Sequence, residues 1–324
     1  MSVLPPRVIA ELVASVPLPE GARYHDGPAM SVGSQLRALA ADLTPAATYQ
    51  LPGPVWERAA LSVTPGTGLA VIPGRDALTA VAESGEVLWT FPHTDWNSSD
   101  GSGSAVVTAD GRHVWATVLG PDAEPYGGDL WVVLDARTGA LLAEATLGCA
   151  AAGSEHHLHP DGEHVALSVG EGQDAAPLFW GRLDGGRLVH RQDGDGRVLI
   201  HISPETGEFY TVAHYLEDAS VHRFAEGAQK LVFPGEWLVV RAGLDGVHWS
   251  VDYSGGFVDA ETLLVALRDY DKGGFAHLLV DAVSGDVLGL AEYAEAPRSG
   301  AYPQGDGTWL TVVDNLLCRW KTCG

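Results

Sequence analysis

Five segments of this chain share one plan: an apolar run, a short Asp/Ser/Gly turn, and a second apolar run. They read "LTAVAESGEVLWTF" (78–91), "LWVVLDARTGALLAEA" (130–145), "LFWGRLDGGRLVHR" (178–191), "SVHRFAEGAQKLVF" (220–233) and "HLLVDAVSGDVLGL" (277–290). Each predicts a β-hairpin, with Gly85, Gly139, Gly185 or Gly186, Gly227 and Gly285 where a tight turn needs positive φ. A second kind of hairpin surrounds a Pro/Asp/Gly turn: "LSVTPGTGLAVI", "VVTADGRHVWATV", "HLHPDGEHVALSV", "HISPETGEFYTVA", "FVDAETLLVAL" and "YPQGDGTWLTVV".

Two hairpins per repeat, at a spacing of roughly 40 to 55 residues, give four antiparallel strands that cannot bury their faces alone and must stack on neighbours. The fold class expected is therefore all-β: a single β-propeller of four-stranded antiparallel blades. The last repeat runs out after three strands, so an N-terminal strand is expected to complete it and leave no open edge. The piece "ATYQLPG" (47–53) fits that role. This counts six blades. Seven is the alternative if "WLVVRAGLDGVHWSV" (237–251) is a further hairpin. Residues 1–46, with "RVIAELVAS" and "SQLRALAADL", read as a partly helical extension, which places the propeller at 47–324.

The segments "HPDGEHVALSV" and "LDARTGALL" above all resemble WD40-like and TolB/PQQ-type β-propeller repeats, over about residues 47–320. The WD dipeptide and recurring GH of WD40 repeats are missing. So is the regular tryptophan pattern of quinone-binding propellers, although "EVLWTF" (86–91) looks like one such strand. The resemblance implies the fold, and implies that ligands bind at the face bearing the loops between second and third strands. Fold alone does not name a function.

Charge narrows the partners. With 42 acidic against 19 basic side chains and a net charge of −23, the surface repels phosphate backbones and anionic membranes. No nucleic acid and no membrane partner is expected. Three cysteines make no disulfide framework and no zinc spacing. No signal peptide or membrane-spanning run is read, so the expected location is cytoplasmic.

The second-to-third-strand loops carry acids nearly throughout: Asp122, Glu124, Asp129, Glu171, Asp174, Glu217, Asp218, Asp269, Asp271 and Asp314. Solvent exposure alone accounts for acids in loops. A ring of them would also suit a cationic ligand or a hard divalent metal. Asp122, Glu171, Asp174, His214, Asp218, Asp269 and Tyr270 are the expected ligand-binding set. Trp96, Tyr126, Tyr215, Tyr253, Phe275 and Tyr302 could line a pocket or a protein-binding surface beside them.

"GSEHHLHPDGEH" (153–164) concentrates four histidines. Strand alternation scatters them. His159 falls at a turn position shared with Thr64, Thr108, Ser203 and Asp259. His164 begins the second strand, and His156 points between blades. His157 shares its rung with His201 and, more loosely, Tyr302. These three are the candidate catalytic groups, and the two imidazoles are candidate ligands of a possible divalent metal. Linear catalytic motifs such as GxSxG, HExxH and the P-loop are absent. The reading favoured is a binding or scaffold protein that engages a protein or peptide partner through an acidic, aromatic-lined face. The alternative is a hydrolase or lyase, or a metal-dependent small-molecule binder, centred on the channel mouth.

Overall fold

The computed structural model describes residues 5–323 apart from 26–28, 59, 62, 65, 97–100, 125–126, 150, 174–175, 195, 225–227 and 245–247; the side chains of 122–127 are also outside the description. The chain forms two compact units. One, here the terminal unit, joins Met1–Leu18 to Gly196–Gly324; the other, the middle unit, is Pro19–Asp195.

The terminal unit begins with β1 (Arg7–Pro17). In the middle unit, β2 (Arg23–His25), β3 (Ala29–Val32), β4 (Gln35–Leu39) and β5 (Pro45–Gln50) form one four-stranded sheet. After β6 (Ala60–Leu61) come β7 (Leu69–Pro73), β8 (Ala77–Ala82) and β9 (Val87–Pro92), which pair in order. Then follow β10 (Ser104–Val107), β11 (His113–Glu124), β12 (Gly127–Asp135) and β13 (Leu141–Thr146), with β6 added parallel to β10. The unit closes with β14 (Gly153–Leu158), β15 (His164–Gly170), β16 (Leu178–Asp184) and β17 (Arg187–Gly194).

The terminal unit continues with β18 (Arg197–Ile202), β19 (Phe209–Ala213), β20 (Asp218–His222) and β21 (Gln229–Pro234), then the helix α1 (Gly235–Ala242). Next are β22 (Trp249–Phe257), β23 (Thr262–Asp269), β24 (Phe275–Asp281) and β25 (Val287–Glu292), and last β26 (Tyr302–Pro303), β27 (Thr308–Val313) and β28 (Leu316–Thr322). All five hairpins expected from the first repeat plan are present, and Gly85, Gly139, Gly185, Gly186 and Gly285 all have positive φ. Gly227 lies outside the described residues.

The closing strand is N-terminal, as expected, but it is β1 and not residues 47–53. Its first residues run parallel to β25 (Arg7↔Leu290 to Ile9↔Glu292), and Ala10–Pro17 then runs antiparallel to β28. The helical reading of "RVIAELVAS" is thereby corrected. The open edges of β25 and β28 offer backbone partners to an extended segment, whereas a nine-residue helix would have been marginal on its own.

"SQLRALAADL" is corrected likewise. Buried Leu36 and Ala38 alternate with more exposed Gln35 and Arg37, a period of two that the helix-favouring composition obscured. With residues 23–50 in strands, position 47 falls inside β5 and the six-blade count loses its basis; the strand groups number four in the middle unit and three in the terminal unit among the described residues. The hairpin expected over 237–251 is instead α1 followed by β22. Gly243, in the left-handed region (φ 66°), ends the helix by giving its N–H to the Val239 and Val240 carbonyls.

Each unit has its own core. In the middle unit Trp115 and Trp131 pack edge-to-face at 5.2 Å among Val133, Val165, Leu167 and Phe179. In the terminal unit Tyr210, Val251, Phe257, Leu263 and Leu278 are fully buried together, with Leu238 of α1. Cys149, Cys318 and Cys323 are free thiols. Among the described residues no helix is long and apolar enough to cross a membrane.

Candidate functional site

Strand β22 departs from regular pairing. Val251 opposes Leu267, but the next paired residue is Gly255, opposite Val265, so Asp252–Ser254 form an excursion. Two glycines make this possible. Gly255 and Gly256 have φ of 113° and 133°, and a Cβ on Gly256 would lie 2.5 Å from Cβ of His201. The excursion is held on both sides. Phe257 N–H donates to His201 Nδ1 at 3.2 Å, and Gly255 N–H donates to the Ala301 carbonyl at 2.8 Å. The first strands of three successive groups, β18, β22 and β26, thus meet around residues 252–257.

The excursion buries charge. Asp252 is 8% exposed and Ser254 3%, and the Ser254 hydroxyl donates to Asp252 Oδ2 at 2.6 Å. Gly300 backs them closely, since a Cβ there would be 2.0 Å from Ser254 Oγ and 2.8 Å from Asp252 Oδ2. Between them Tyr253 turns outward, 43% exposed, and its hydroxyl donates to the His214 carbonyl.

Tyr270 joins the same environment. Burial and then the Asp252 charge push its hydroxyl up, while Arg268 acts in the opposite sense. The Tyr253 hydroxyl is pushed up by burial, then by Tyr270, Glu217 and Asp252. Arg268 stacks over the Tyr270 ring at 4.8 Å and approaches the Phe275 ring at 5.5 Å. The fully buried Tyr210 hydroxyl has no hydrogen-bond partner among the described residues; burial first and Asp252 second raise its pKa.

Of the expected set, His201, Tyr302, His214, Asp218, Asp269 and Tyr270 lie in the terminal unit. Tyr302 follows Ala301, the carbonyl that receives Gly255. Two of the acids have other partners. Asp218 pairs with Arg197 at 2.7 Å. Asp269 accepts the N–H groups of Asp271 and Lys272 at 2.9 and 3.0 Å, which lowers its pKa and makes it a turn residue. His157 lies on β14 of the middle unit, with Nε2 3.9 Å from Glu155 Oε2. Glu171 is also in that unit, and its charge acts on buried Asp129 and Cys149. Asp122 lies in β11 with its side chain outside the description, as are Tyr126 and Glu124; Asp174 is outside the described residues. No group of three or more His, Cys, Asp or Glu is placed to hold a metal ion among the described residues.

Trp96, expected near a pocket, is a core residue at 4% exposure, because Gly101 and Gly103 let the chain fold tightly over its indole. Phe257, whose N–H donates to His201 on the rung expected to be shared with His157, is a core residue too. Register shifts, between Leu199 and His201 and between Val251 and Gly255, break the strict alternation on which that rung rests.

The remaining histidines of 153–164 are bonded as structure. His159 Nδ1 accepts Asp161 N–H at 3.3 Å, and His164 Nδ1 meets Asp161 Oδ2 at 2.7 Å. His156, 7% exposed, takes Trp131 Nε1–H on Nε2 at 2.9 Å and faces Ser104 Oγ with Nδ1 at 2.7 Å. Because Nε2 is an acceptor, the neutral ring carries its proton on Nδ1. That nitrogen donates to Ser104 and cannot act as its base. This Ser–His pair is a tie between strands.

Sequence reasoning passed over Asp252, Ser254, Arg268 and Gly300. Their signal was "SGG" inside an apolar strand pattern, since paired glycines in a strand interior mark a bulge or a close backbone approach.

No family model matches this chain, and no curated protein does. Solved structures do. The WD40 domain of Pan2 from Neurospora crassa is 10% identical with a TM-score of 0.57, over 97% of this chain and 96% of that one. A prolyl endopeptidase is 12% identical with a TM-score of 0.55, over 92% of this chain but 44% of its own. The hydrazine synthase of Kuenenia stuttgartiensis is 13% identical with a TM-score of 0.52, over 95% and 92%. Likeness at such identities speaks to fold alone. Strand pairing and these likenesses together give the chain a WD40-like β-propeller fold built of antiparallel blades.

Proposed function

We propose that this chain is a β-propeller binding protein, cytoplasmic in setting, that holds a protein or peptide partner against the tyrosine-rich, acidic end of the terminal unit. One observation carries the reading: Tyr215, Tyr253 and Tyr270 are 68%, 43% and 48% exposed on neighbouring segments, the first beside His214 and the other two in one electrostatic environment with Glu217 and Asp252. Exposed tyrosines supply large contact area at low conformational cost and are enriched where proteins bind one another. Acidic side chains around them, on a chain of net charge −23, favour a basic segment and speed its encounter at low salt.

A photo-crosslinking amino acid placed at Tyr215 or Tyr270 is expected to capture a discrete partner whose yield falls as salt rises. The same group at Val189, exposed on β17 of the middle unit, is the control. Equal capture of the same species at Val189 would overturn the reading.

A further inference from the structure

Asp252 and Arg268 are an unusual pair of charges. Asp252 is nine-tenths buried, yet its bonding partner is the Ser254 hydroxyl, and it makes no ion pair among the described residues. Arg268, on the adjacent strand, has a buried Nε without a hydrogen-bond partner; its guanidinium lies over aromatic rings and bonds the Tyr270 hydroxyl, and it makes no ion pair among the described residues. A buried carboxylate without a cation is costly, and so is a partly buried guanidinium without an anion. The two are close enough to act on the same Tyr270 hydroxyl in opposite senses. They are not bonded to each other. Ser250, two residues before Asp252, is the register partner of Arg268, so the two charges sit on neighbouring strands where β22 begins its excursion.

Each charge is held where it is. Asp252 is fixed by Ser254 and by the close Gly300 backbone, and Arg268 by the Tyr270 and Phe275 rings. Two fixed, opposite charges, neither of them in an ion pair among the described residues and both acting on one tyrosine, are complementary to a ligand that carries both signs a short distance apart. We propose that this site binds a zwitterion of the α-amino-acid type, its ammonium on Asp252, its carboxylate on Arg268, and its side chain against Tyr253 and Tyr270. The guanidinium presents a planar fork suited to a carboxylate. Tyr253 and Tyr270 offer apolar faces, and the Tyr210 hydroxyl is a further polar group in the field of Asp252. The proposal goes beyond the partner-binding reading and does not depend on it.

The test is calorimetric titration of the purified full chain with each of the twenty standard amino acids. The best ligand is then compared with its amine-only and carboxylate-only analogues; for L-phenylalanine these are phenethylamine and 3-phenylpropionate. Saturable binding of at least one amino acid is expected, with both single-charge analogues at least tenfold weaker. Asp252→Asn and Arg268→Met should each weaken binding at least tenfold. Ser254→Ala, which leaves both charges in place, should weaken it only a few-fold, and it keeps the idea testable if either charge variant melts without cooperativity. Absence of saturable binding across the panel, an analogue that binds as tightly as the zwitterion, or indifference to both charge variants would overturn the proposal. Crosslinking at Tyr215 reports on the partner separately, so either idea can fail alone.

Discussion

His156 in the middle unit and Asp252 in the terminal unit are both polar, both buried, and both on the first strand of a blade, yet their surroundings differ in kind. The imidazole of His156 has both nitrogens bonded, to Trp131 and to Ser104, and Ser104 also meets Ser154 at 2.9 Å. The carboxylate of Asp252 has one neutral hydroxyl and, among the described residues, no cation. A buried polar group that is fully bonded holds strands in register, because every alternative packing would orphan it. One left short of partners contributes nothing comparable to stability and is a candidate ligand contact. The histidine-rich segment that attracts the eye is therefore mainly architecture, and the plain "DYSGGF" segment carries the candidate site.

Breaking the bonded side of this comparison should give the largest effect. His156→Ala orphans Trp131 Nε1–H, leaves the Ser104 hydroxyl with Ser154 alone and opens a void, so chemical unfolding at pH 7.5 should show a loss of about 3 kcal/mol. A loss under about 1 kcal/mol would mean that the tie does not hold the strands.

The same residue predicts a pH dependence. Burial, and then His157, push the His156 pKa down to about 3 from an ordinary 6.5, and burial does the same to His277 in the terminal unit. A depressed pKa means that the unfolded chain binds the proton first as pH falls. The stabilisation is therefore whole above about 6.5 and disappears on the way down towards 3. The gap between wild type and His156→Ala should shrink by about 1.4 kcal/mol per pH unit across that window. A gap that stays constant from pH 7.5 to 5 would show that the ring titrates normally.

Asp129 sharpens the contrast because it is an acid as buried as Asp252, at 1% exposure, with a backbone donor from Ala151. Burial drives its pKa up to about 6; the Ala151 N–H opposes this and Glu171 adds to it. Here the folded state holds the proton more tightly. Stability from this group is full below about 3.8 and is lost as pH rises through about 6. Asp129→Asn should therefore raise stability at pH 8 relative to its effect at pH 4, by about 2 kcal/mol. Equal effects at the two pH values would place the ionised carboxylate in a better environment than its burial implies.

Much of the architecture was legible in the sequence because hairpin turns leave a local mark: Gly85, Gly139 and Gly285 have positive φ at the turns their sequence signals. The closing strand was harder. β1 has no internal partner, and its pairing with β28 spans nearly the whole chain, so local pattern could not separate it from a helix. The site was harder still. Parity along a strand is a sound guide until a bulge intervenes, and the irregularities at Leu199/His201 and Val251/Gly255 fall where it was used to choose His201. Sequence reasoning named His214 and Tyr270 through their loops. Asp252 and Arg268 stand out only because neither makes an ion pair among the described residues, which is a three-dimensional property.

The smallest stability effect is expected where the binding effect is greatest. Asp252→Asn keeps the shape of the side chain, can still accept from Ser254, and removes a buried charge that has no cation partner among the described residues. Removing an uncompensated charge is commonly neutral or favourable, whereas removing half of a satisfied pair is costly. The unliganded variant should therefore melt within about 0.5 kcal/mol of wild type, or up to about 1 kcal/mol above it. The comparison with His156 turns on that sign. A loss of 2 kcal/mol or more in Asp252→Asn would mean that the carboxylate is anchored within the fold after all, and the two regions would then differ in degree and not in kind.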